Sequence, residues 1–307
     1  MLVHGFGASA FHWRFNVPAL SEDRPVYALD LVGFGASDKP LVEYSAELWR
    51  DQVGAFLKEV VQAPAIVAGN SIGGYTALHV AATFPERTAG CVLLNAAGKF
   101  SAMGVETAVA ADAAATTATT TVSLSSQTAV DEVAPSSTAQ PAPFAPMETV
   151  KKLLGKGVVY AGFFVTKQPA RISQVLKQVY PVDPSNVDAE LVESIRFPAD
   201  SSPNCAEVFY RVVSRNTAEP DPTKPPTPCL DELLPSLTAA KTPLWLVWGQ
   251  ADPWIRPQVA DKIVQLKPGT VRVNVAAGHC PHDEAPIPVN AALRDVGVFV
   301  DAAASAA

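Results

Sequence analysis

Ala65-Ile66-Val67-Ala68-Gly69-Asn70-Ser71-Ile72-Gly73-Gly74 is the stretch on which the reading of this chain turns. Its first four residues form a short apolar run that predicts a buried strand. A helix is expected from about Gly73 to Phe84, where Pro85 stops it. Between them lies Gly-x-Ser-x-Gly. A strand-to-helix reversal this tight strains the backbone at its central residue, and only small neighbours leave room for it. Ser71 is thereby expected to stand over the C-terminal edge of a sheet, with the free N–H groups and positive dipole end of the helix beneath it. The five-residue pattern by itself is common in ordinary turns. The strand before it and the helix after it give it chemical meaning.

Working outward, Val26-Tyr27-Ala28-Leu29 reads as a strand ending at Asp30, followed by a Gly-rich turn over residues 33–37. Ser45 can cap a helix running to about Gln62, and Cys91-Val92-Leu93-Leu94 reads as the next strand. Strands separated by helical segments mean βαβ units and a parallel sheet, so the expected class is α/β, mostly parallel and doubly wound. Residues 1–100 form the first core block. Residues 101–146 are dominated by Ala, Ser and Thr and lack Lys and Arg, which predicts a low-complexity, disordered insertion. Residues 147–240 regain helical spacing, with a proline-rich linker at 217–228, and are expected to form a helical cap. Residues 241–307 complete the core, with strands at 244–248 and 271–275 and a final helix from Pro286.

Three further places bear on chemistry. His4-Gly5-Phe6-Gly7 follows a strand and can reach the crevice beside Ser71. The backbone N–H groups of Phe6 and Ile72 would then form an oxyanion hole, worth roughly 3–4 kcal/mol per donor. Asp252 follows the strand at 244–248, and His279 lies on the loop after the strand at 271–275. The order Ser, Asp, His and the shared sheet edge make Ser71, His279 and Asp252 the candidate nucleophile, base and orienting acid. His282 is the rival base, although His279 directly follows the strand-exit glycine. Asp30 and His4 read as structural loop residues. His12, Trp13 and Arg14 suit the mouth of a site as well as they suit a helix packed on the core.

Composition removes other classes. With 307 residues, 48% hydrophobic and 17% charged, the chain can bury a large core and is not disordered as a whole. No apolar run reaches the roughly 18 residues that a spanning helix requires. A net charge of −7 with scattered basic residues argues against nucleic acid as a partner. Cys91, Cys205, Cys229 and Cys280 form no C-x-x-C pair, so no metal site is expected. The Gly-rich loops lack both the P-loop lysine and the G-x-G-x-x-G fingerprint, so no cofactor is expected. Nothing in the pattern specifies an oligomeric state.

His4-Gly5-Phe6-Gly7-Ala8-Ser9, Gly69–Gly74, Phe163-Phe164-Val165-Thr166-Lys167 and Gly278-His279-Cys280-Pro281-His282-Asp283-Glu284 together resemble the serine α/β-hydrolases. Within them the chain is similar to the plant, algal and cyanobacterial branch related to pheophytinase, and the similarity extends through the cap from Phe163 to about Arg215. Ser71 stands where haloalkane dehalogenases and epoxide hydrolases of this fold carry Asp. The resemblance implies the α/β-hydrolase fold and cleavage of a carboxylic ester through an acyl-enzyme on Ser71, with a phytyl ester of a chlorophyll derivative as one such substrate. It also implies a small apolar ester as ligand, residence in the chloroplast, and peripheral contact with plastid membranes. No basic or apolar leader stretch stands before the first motif, so neither a signal peptide nor a transit peptide is expected within these residues. Leu2-Val3 reads as the end of a strand cut short, so the family's earlier strands are expected to be missing. Two alternatives remain. One is a carbon–carbon bond hydrolase of the meta-cleavage type, for whose acidic substrate Arg14, Arg171 and Arg211 are the available cations. The other is a ligand receptor on the same fold.

Overall fold

The computed structural model describes residues 1–101, 147–215 and 226–305. The 101–146 insertion and most of the proline-rich linker therefore lie outside the described residues, apart from Ser101 and residues 226–228. Strands β1 (Leu2–Val3), β2 (Ala28–Leu29), β3 (Ala65–Asn70), β4 (Thr88–Leu94), β5 (Leu244–Gly249) and β6 (Val271–Val275) form one sheet. Its order is β2-β1-β3-β4-β5-β6 and every pairing is parallel. This is the expected α/β architecture. β1 is two residues long, so β2 pairs over two positions, Leu2 with Ala28 and Val3 with Leu29, and the strand expected from Val26 is shorter than its apolar run.

The chain leaves β1 toward β2 on one side and returns to β3 on the other. In open α/β sheets the crevice for a ligand opens where the winding reverses, outside the carboxyl ends of the strands. Here that place lies at the ends of β1 and β3. Register carries the edge onward, with Val3 opposite Gly69, Asn70 opposite Leu94, Leu94 opposite Val247, and Gly249 opposite Val275. Ser71, Asn95, Asp252 and His279 all follow on these strand ends.

Helices cover both faces. Helices α2 (Ala46–Phe56), α3 (Ile72–Thr83), α8 (Leu230–Ala239) and α9 (Pro257–Leu266) share one apolar cluster that includes Val53, Leu78, Leu234 and Ile263. On the other face, α1 (Asn16–Leu20) and α11 (Pro286–Ser305) bury Leu20, Val289 and Val296 against Val92 and Val247. The sequence reading assigned residues 229–240 to the cap. Leu230, Leu233, Leu234 and Leu237 instead face the core cluster, because their spacing places an apolar stripe against α3. Ser45 caps α2 as expected, accepting from the Leu48 N–H at 3.1 Å. The regular helix then ends at Phe56 and continues as a wider turn over Leu57–Val61, closed by the Gln62 N–H on the Leu57 carbonyl at 2.9 Å.

The remaining helices, α4 (Met147–Thr166), α5 (Pro169–Val179), α6 (Ala189–Asp200) and α7 (Cys205–Arg215), sit over the C-terminal edge of the sheet. They bury small clusters of their own: Ile172, Leu176 and Leu191 in one, and Phe163, Cys205 and Ala206 in the other. α10 is the single turn Pro281–Glu284.

The seat of α3 on the sheet depends on Gly69 and Gly73. A Cβ on Gly73 would lie 2.3 Å from the Val3 carbonyl oxygen and 2.4 Å from that of His4. A Cβ on Gly69 would lie 2.1 Å from the Gly73 carbonyl oxygen. These neighbours are backbone and cannot swing aside. Gly73→Ala is therefore expected to destabilise the fold by at least about 2 kcal/mol, read as a lowered Tm or loss of soluble protein. Gly155→Ala, in a helix with open space around the new methyl, should leave Tm unchanged or raise it.

Candidate active site

Ser71 joins β3 to α3 at φ 56° and ψ −122°. This is a strained conformation for a residue with a side chain, and it turns the serine out at the sheet edge. The Ser71 N–H donates to the Leu94 carbonyl at 3.1 Å, and its carbonyl accepts from Ala97 N–H at 2.9 Å, so β4 and the loop after it hold the turn. The Gly5 loop lies against it: a Cβ on Gly5 would be 3.3 Å from Ser71 Cβ. Ile72 is the first residue of α3, where a backbone N–H has no intrahelical acceptor. Phe6 lies in the same loop as Gly5. Among the described residues neither of these N–H groups donates to a protein acceptor. Both remain free for a ligand oxygen.

Asp252 follows β5 and is buried, and its two oxygens receive four N–H groups. Oδ1 accepts from the backbones of Trp254 at 2.8 Å and Ile255 at 3.0 Å. Oδ2 accepts from Asn95 Nδ2 at 2.7 Å and lies 2.8 Å from His279 Nδ1. That contact places the imidazole proton on Nδ1 and leaves Nε2 with its lone pair. His279 is fixed along its backbone as well. Its N–H donates to Val179 at 2.9 Å, and its carbonyl accepts from Asn70 Nδ2 at 2.8 Å. The Trp254 ring packs 5.0 Å from the imidazole, centroid to centroid. Ser71 and His279 line one cavity of about 230 Å³, and no hydrogen bond joins the Ser71 hydroxyl to His279 among the described residues. Such contacts are often long without substrate and shorten once it is bound.

The cavity is polar at that end and mostly apolar elsewhere, with Lys39, Thr166 and Lys167 also on its wall. Phe163, Ile172, Val175 and Leu176 of the overlying helices, with Val208 and Phe209 of α7, form much of its wall. Among the described residues no cluster of His, Cys, Asp and Glu is arranged to hold a metal ion.

Other sequence-singled residues take different places. Asp30 clamps a loop, accepting from Ala10 N–H and Ala36 N–H at 2.6 Å each. His4 accepts from Leu31 N–H at 3.0 Å and hydrogen-bonds the Gly5 carbonyl at 2.7 Å, so it is structural. His12 lines the cavity, whereas Trp13 belongs to the core. Arg14 is turned to Asp188 at 2.8 Å and Asp283 at 2.9 Å. None of Arg14, Arg171 and Arg211 lines the cavity. His282, the rival base, is fully buried between His12 and Trp13, at ring separations of 4.6 and 4.1 Å, and does not line the cavity.

Asn95, which the sequence reading did not single out, bridges Asp252 and the Gly249 N–H. Its signal was positional: it follows β4, the strand between those that carry Ser71 and lead to Asp252. Its φ of 42° is one that asparagine tolerates better than most residues. Glu284 was also missed. It accepts from Gly278 N–H on one oxygen and from Val182 and Asp183 N–H, at 2.8 and 3.0 Å, on the other.

Residues 1–286 match the family described as alpha/beta hydrolase fold. The chain is 29% identical to chloroplastic pheophytinase of Arabidopsis thaliana, over 96% of this chain and 60% of that protein. It is 36% identical to 2-hydroxymuconate semialdehyde hydrolase of a Pseudomonas strain, over 32% of this chain and 36% of that protein. It thus spans less than two thirds of either relative. A thermophilic esterase from Thermogutta terrifontis superposes with a TM-score of 0.62 at 20% identity, covering 97% of this chain and 89% of the other. Among the described residues no helix is long and apolar enough to cross a membrane.

Burial leaves several of these imidazoles neutral. It pushes His12 down to about 3 and His282 well below the ordinary histidine value, with neighbouring imidazoles adding to the effect in both. In the unfolded chain each returns to about 6.5. Below that value the unfolded state binds protons that the folded state refuses. The stabilisation is complete above about pH 6.5 and is lost as the pH falls toward the folded values, by up to about 1.4 kcal/mol per pH unit and group. Thermal unfolding should show Tm falling from pH 7 to pH 5, with a shallower slope in His282→Gln. An equal slope would mean that His282 takes up its proton as readily in the folded protein as in the unfolded chain. The match over residues 1–286, on a parallel sheet carrying Ser71, His279 and Asp252 along one edge, makes this chain a member of the α/β hydrolase fold family.

Proposed function

We propose that the protein is a serine hydrolase that cleaves a carboxylic ester through an acyl-enzyme on Ser71, with His279 as base and Asp252 as its orienting acid. The observation that carries the reading is the strained Ser71 turn at the polar end of a mostly apolar cavity, beside an imidazole whose Nδ1 is committed to Asp252. His279 Nε2 takes the Ser71 proton as the hydroxyl oxygen attacks the ester carbonyl. The oxygen that becomes negative receives the N–H groups of Phe6 and Ile72. Collapse breaks the bond to the alcohol oxygen, which leaves with the proton from His279. Water, deprotonated by the same nitrogen, then releases the acid and restores Ser71.

Helices α4–α7 act as a lid in this reading, and their aromatic and aliphatic wall favours a long apolar ester. Similarity along 96% of the chain to a chloroplast pheophytinase makes a phytyl ester of a chlorophyll derivative the first substrate to try, and a plastid its place of action. Carbon–carbon bond cleavage on a dienoate is the second reading, favoured by the 36% match to 2-hydroxymuconate semialdehyde hydrolase. Among the described residues no arginine lines the cavity wall to receive its carboxylate. The lysines there are engaged elsewhere, Lys39 on the Gly35 and Ser37 carbonyls and Lys167 on Asp200.

The test is chromatographic detection of phytol-free pigment after incubation with pheophytin and chlorophyll, with a nitrophenyl ester alongside and Ser71→Ala as blank. Ser71-dependent release of phytol is the expected result. Ester cleavage without it would retain the mechanism and discard the pigment. Ser71→Ala and His279→Ala should each lower kcat by about 10⁴-fold or more with the fold intact. His282→Gln should retain turnover, and its loss in that variant alone would move the base to His282.

A further inference from the structure

Among the described residues, Lys39 and Lys167 are the lysines on the wall of the Ser71 cavity, and their surroundings differ. Lys167 is neutralised by Asp200 and lies 4.8 Å from the centre of the Phe164 ring. Lys39 is 9% exposed, and among the described residues no carboxylate pairs with it. Its Nζ donates to the carbonyls of Gly35 at 2.8 Å and Ser37 at 2.9 Å. An ammonium has three N–H groups, so one is left without a protein acceptor. Asp30 lies beside Gly35, but its oxygens accept from the Ala10 and Ala36 N–H groups. The two carbonyls therefore bond the Lys39 ammonium without neutralising it. A buried charge in that state is costly, and a neutral donor would close the same turn at less cost.

The position is also fixed in advance. The Gly33 N–H donates to the Asp38 carbonyl at 2.9 Å, and the Lys39 carbonyl accepts from Asn204 Nδ2, just before α7, at 3.0 Å. Backbone and ammonium are both held, so the rotamer entropy that a surface lysine loses on binding a ligand has here been lost on folding. Gly35, Lys39 and Pro198 also border an adjoining groove, which includes Ser37, Asp38 and Ser202. An oxygen bonded to Lys39 would thus lie where a mostly apolar cavity meets a polar surface, and it could keep part of its hydration.

We propose that Lys39 is a specificity-determining residue of this cavity, and that the ester cleaved at Ser71 carries a second acceptor oxygen, a carboxylate or a ketone, which receives the remaining Lys39 N–H. This rests on the reading of the Ser71 cavity as an ester site and deepens it, because it names a group that the substrate carries besides the ester. A site with a buried donor of this kind discriminates against a ligand that lacks the matching acceptor, since the donor is then left unpaired.

The test compares esters of equal length in three forms: a plain alkyl chain, a chain ending in a carboxylate, and a chain bearing a ketone. Each oxygenated form is made with its extra oxygen on the acid side and on the alcohol side of the scissile bond, and Ser71→Ala is the blank. In the unaltered protein, kcat/KM for at least one oxygenated ester should exceed that of its plain counterpart about tenfold, as a hydrogen bond from a charged group would give. In Lys39→Met, which keeps the length of the side chain, that ratio should fall to about one. Lys39→Gln, which keeps a donor for the two carbonyls but no charge, should lose most of any preference for the carboxylate. The ratio is the readout because a merely loosened loop would lower both esters alike. A preference for the carboxylate alone or for the ketone alone would support the proposal and fix the oxygen. The absence of any preference in the unaltered protein would overturn it, and so would a preference that survives Lys39→Met. Plain esters cleaved as well as oxygenated ones would leave the ester reading and remove this role for Lys39. Ser71-dependent cleavage of a dienoate and of no ester, weakened in Lys39→Met, would remove the ester reading and leave Lys39 its oxygen.

Discussion

The contact on which everything else rests is between backbones: the first turn of α3 against the ends of β1 and β3. Gly69 and Gly73 let carbonyl groups occupy the space of side chains, and the chain can then reverse within one residue. The cost is a strained Ser71, and the surrounding core must hold it there. Leu94 and Ala97 do so through the backbone of Ser71, and the register of β3 on β4 sets where they stand. A small shift in that register would displace Ser71 and the Ile72 N–H relative to Asn95.

Much of this was legible in the sequence because its signals are local. Gly69-Asn70-Ser71-Ile72-Gly73 announces its own geometry, and the short apolar runs before Ser71, Asp252 and His279 place all three at one edge as soon as the sheet is parallel. Asn95 and Glu284 were not legible. Nothing adjacent to Asn95 indicates that a residue 157 positions away will need an extra donor. Glu284 bonds three backbone N–H groups in two separate segments. Leu230–Ala239 was misassigned for a related reason: an amphipathic helix shows that it packs, and its sequence does not say against what. The shortened β2 has another cause, since a strand extends only as far as its partner.

A second group of long-range contacts joins the overlying helices to the core. Arg14 bonds Asp188 and Asp283, and the Tyr180 hydroxyl donates to Asp283 at 2.9 Å. His12 lies 2.6 Å from the same hydroxyl. With that hydrogen directed at Asp283, His12 donates from Nε2. Burial pushes the Asp283 carboxyl up, against the pull of Arg14 and Tyr180. Paired and hydrogen-bonded charges of this kind contribute little net stability, but losing one partner is costly, so the cluster fixes an arrangement more than it strengthens it.

The bond from the His279 N–H to the Val179 carbonyl reaches further than its 2.9 Å. Val179 ends α5, and Val182 and Asp183 just beyond it share Glu284 with Gly278. The segment that roofs the cavity is thus part of the scaffold under the imidazole. Grafting the roof of another member of this fold family onto this sheet would take away three of the bonds that hold the loop carrying His279. The wall of the cavity and the placement of His279 are inherited together here, and neither can be exchanged as a separate module.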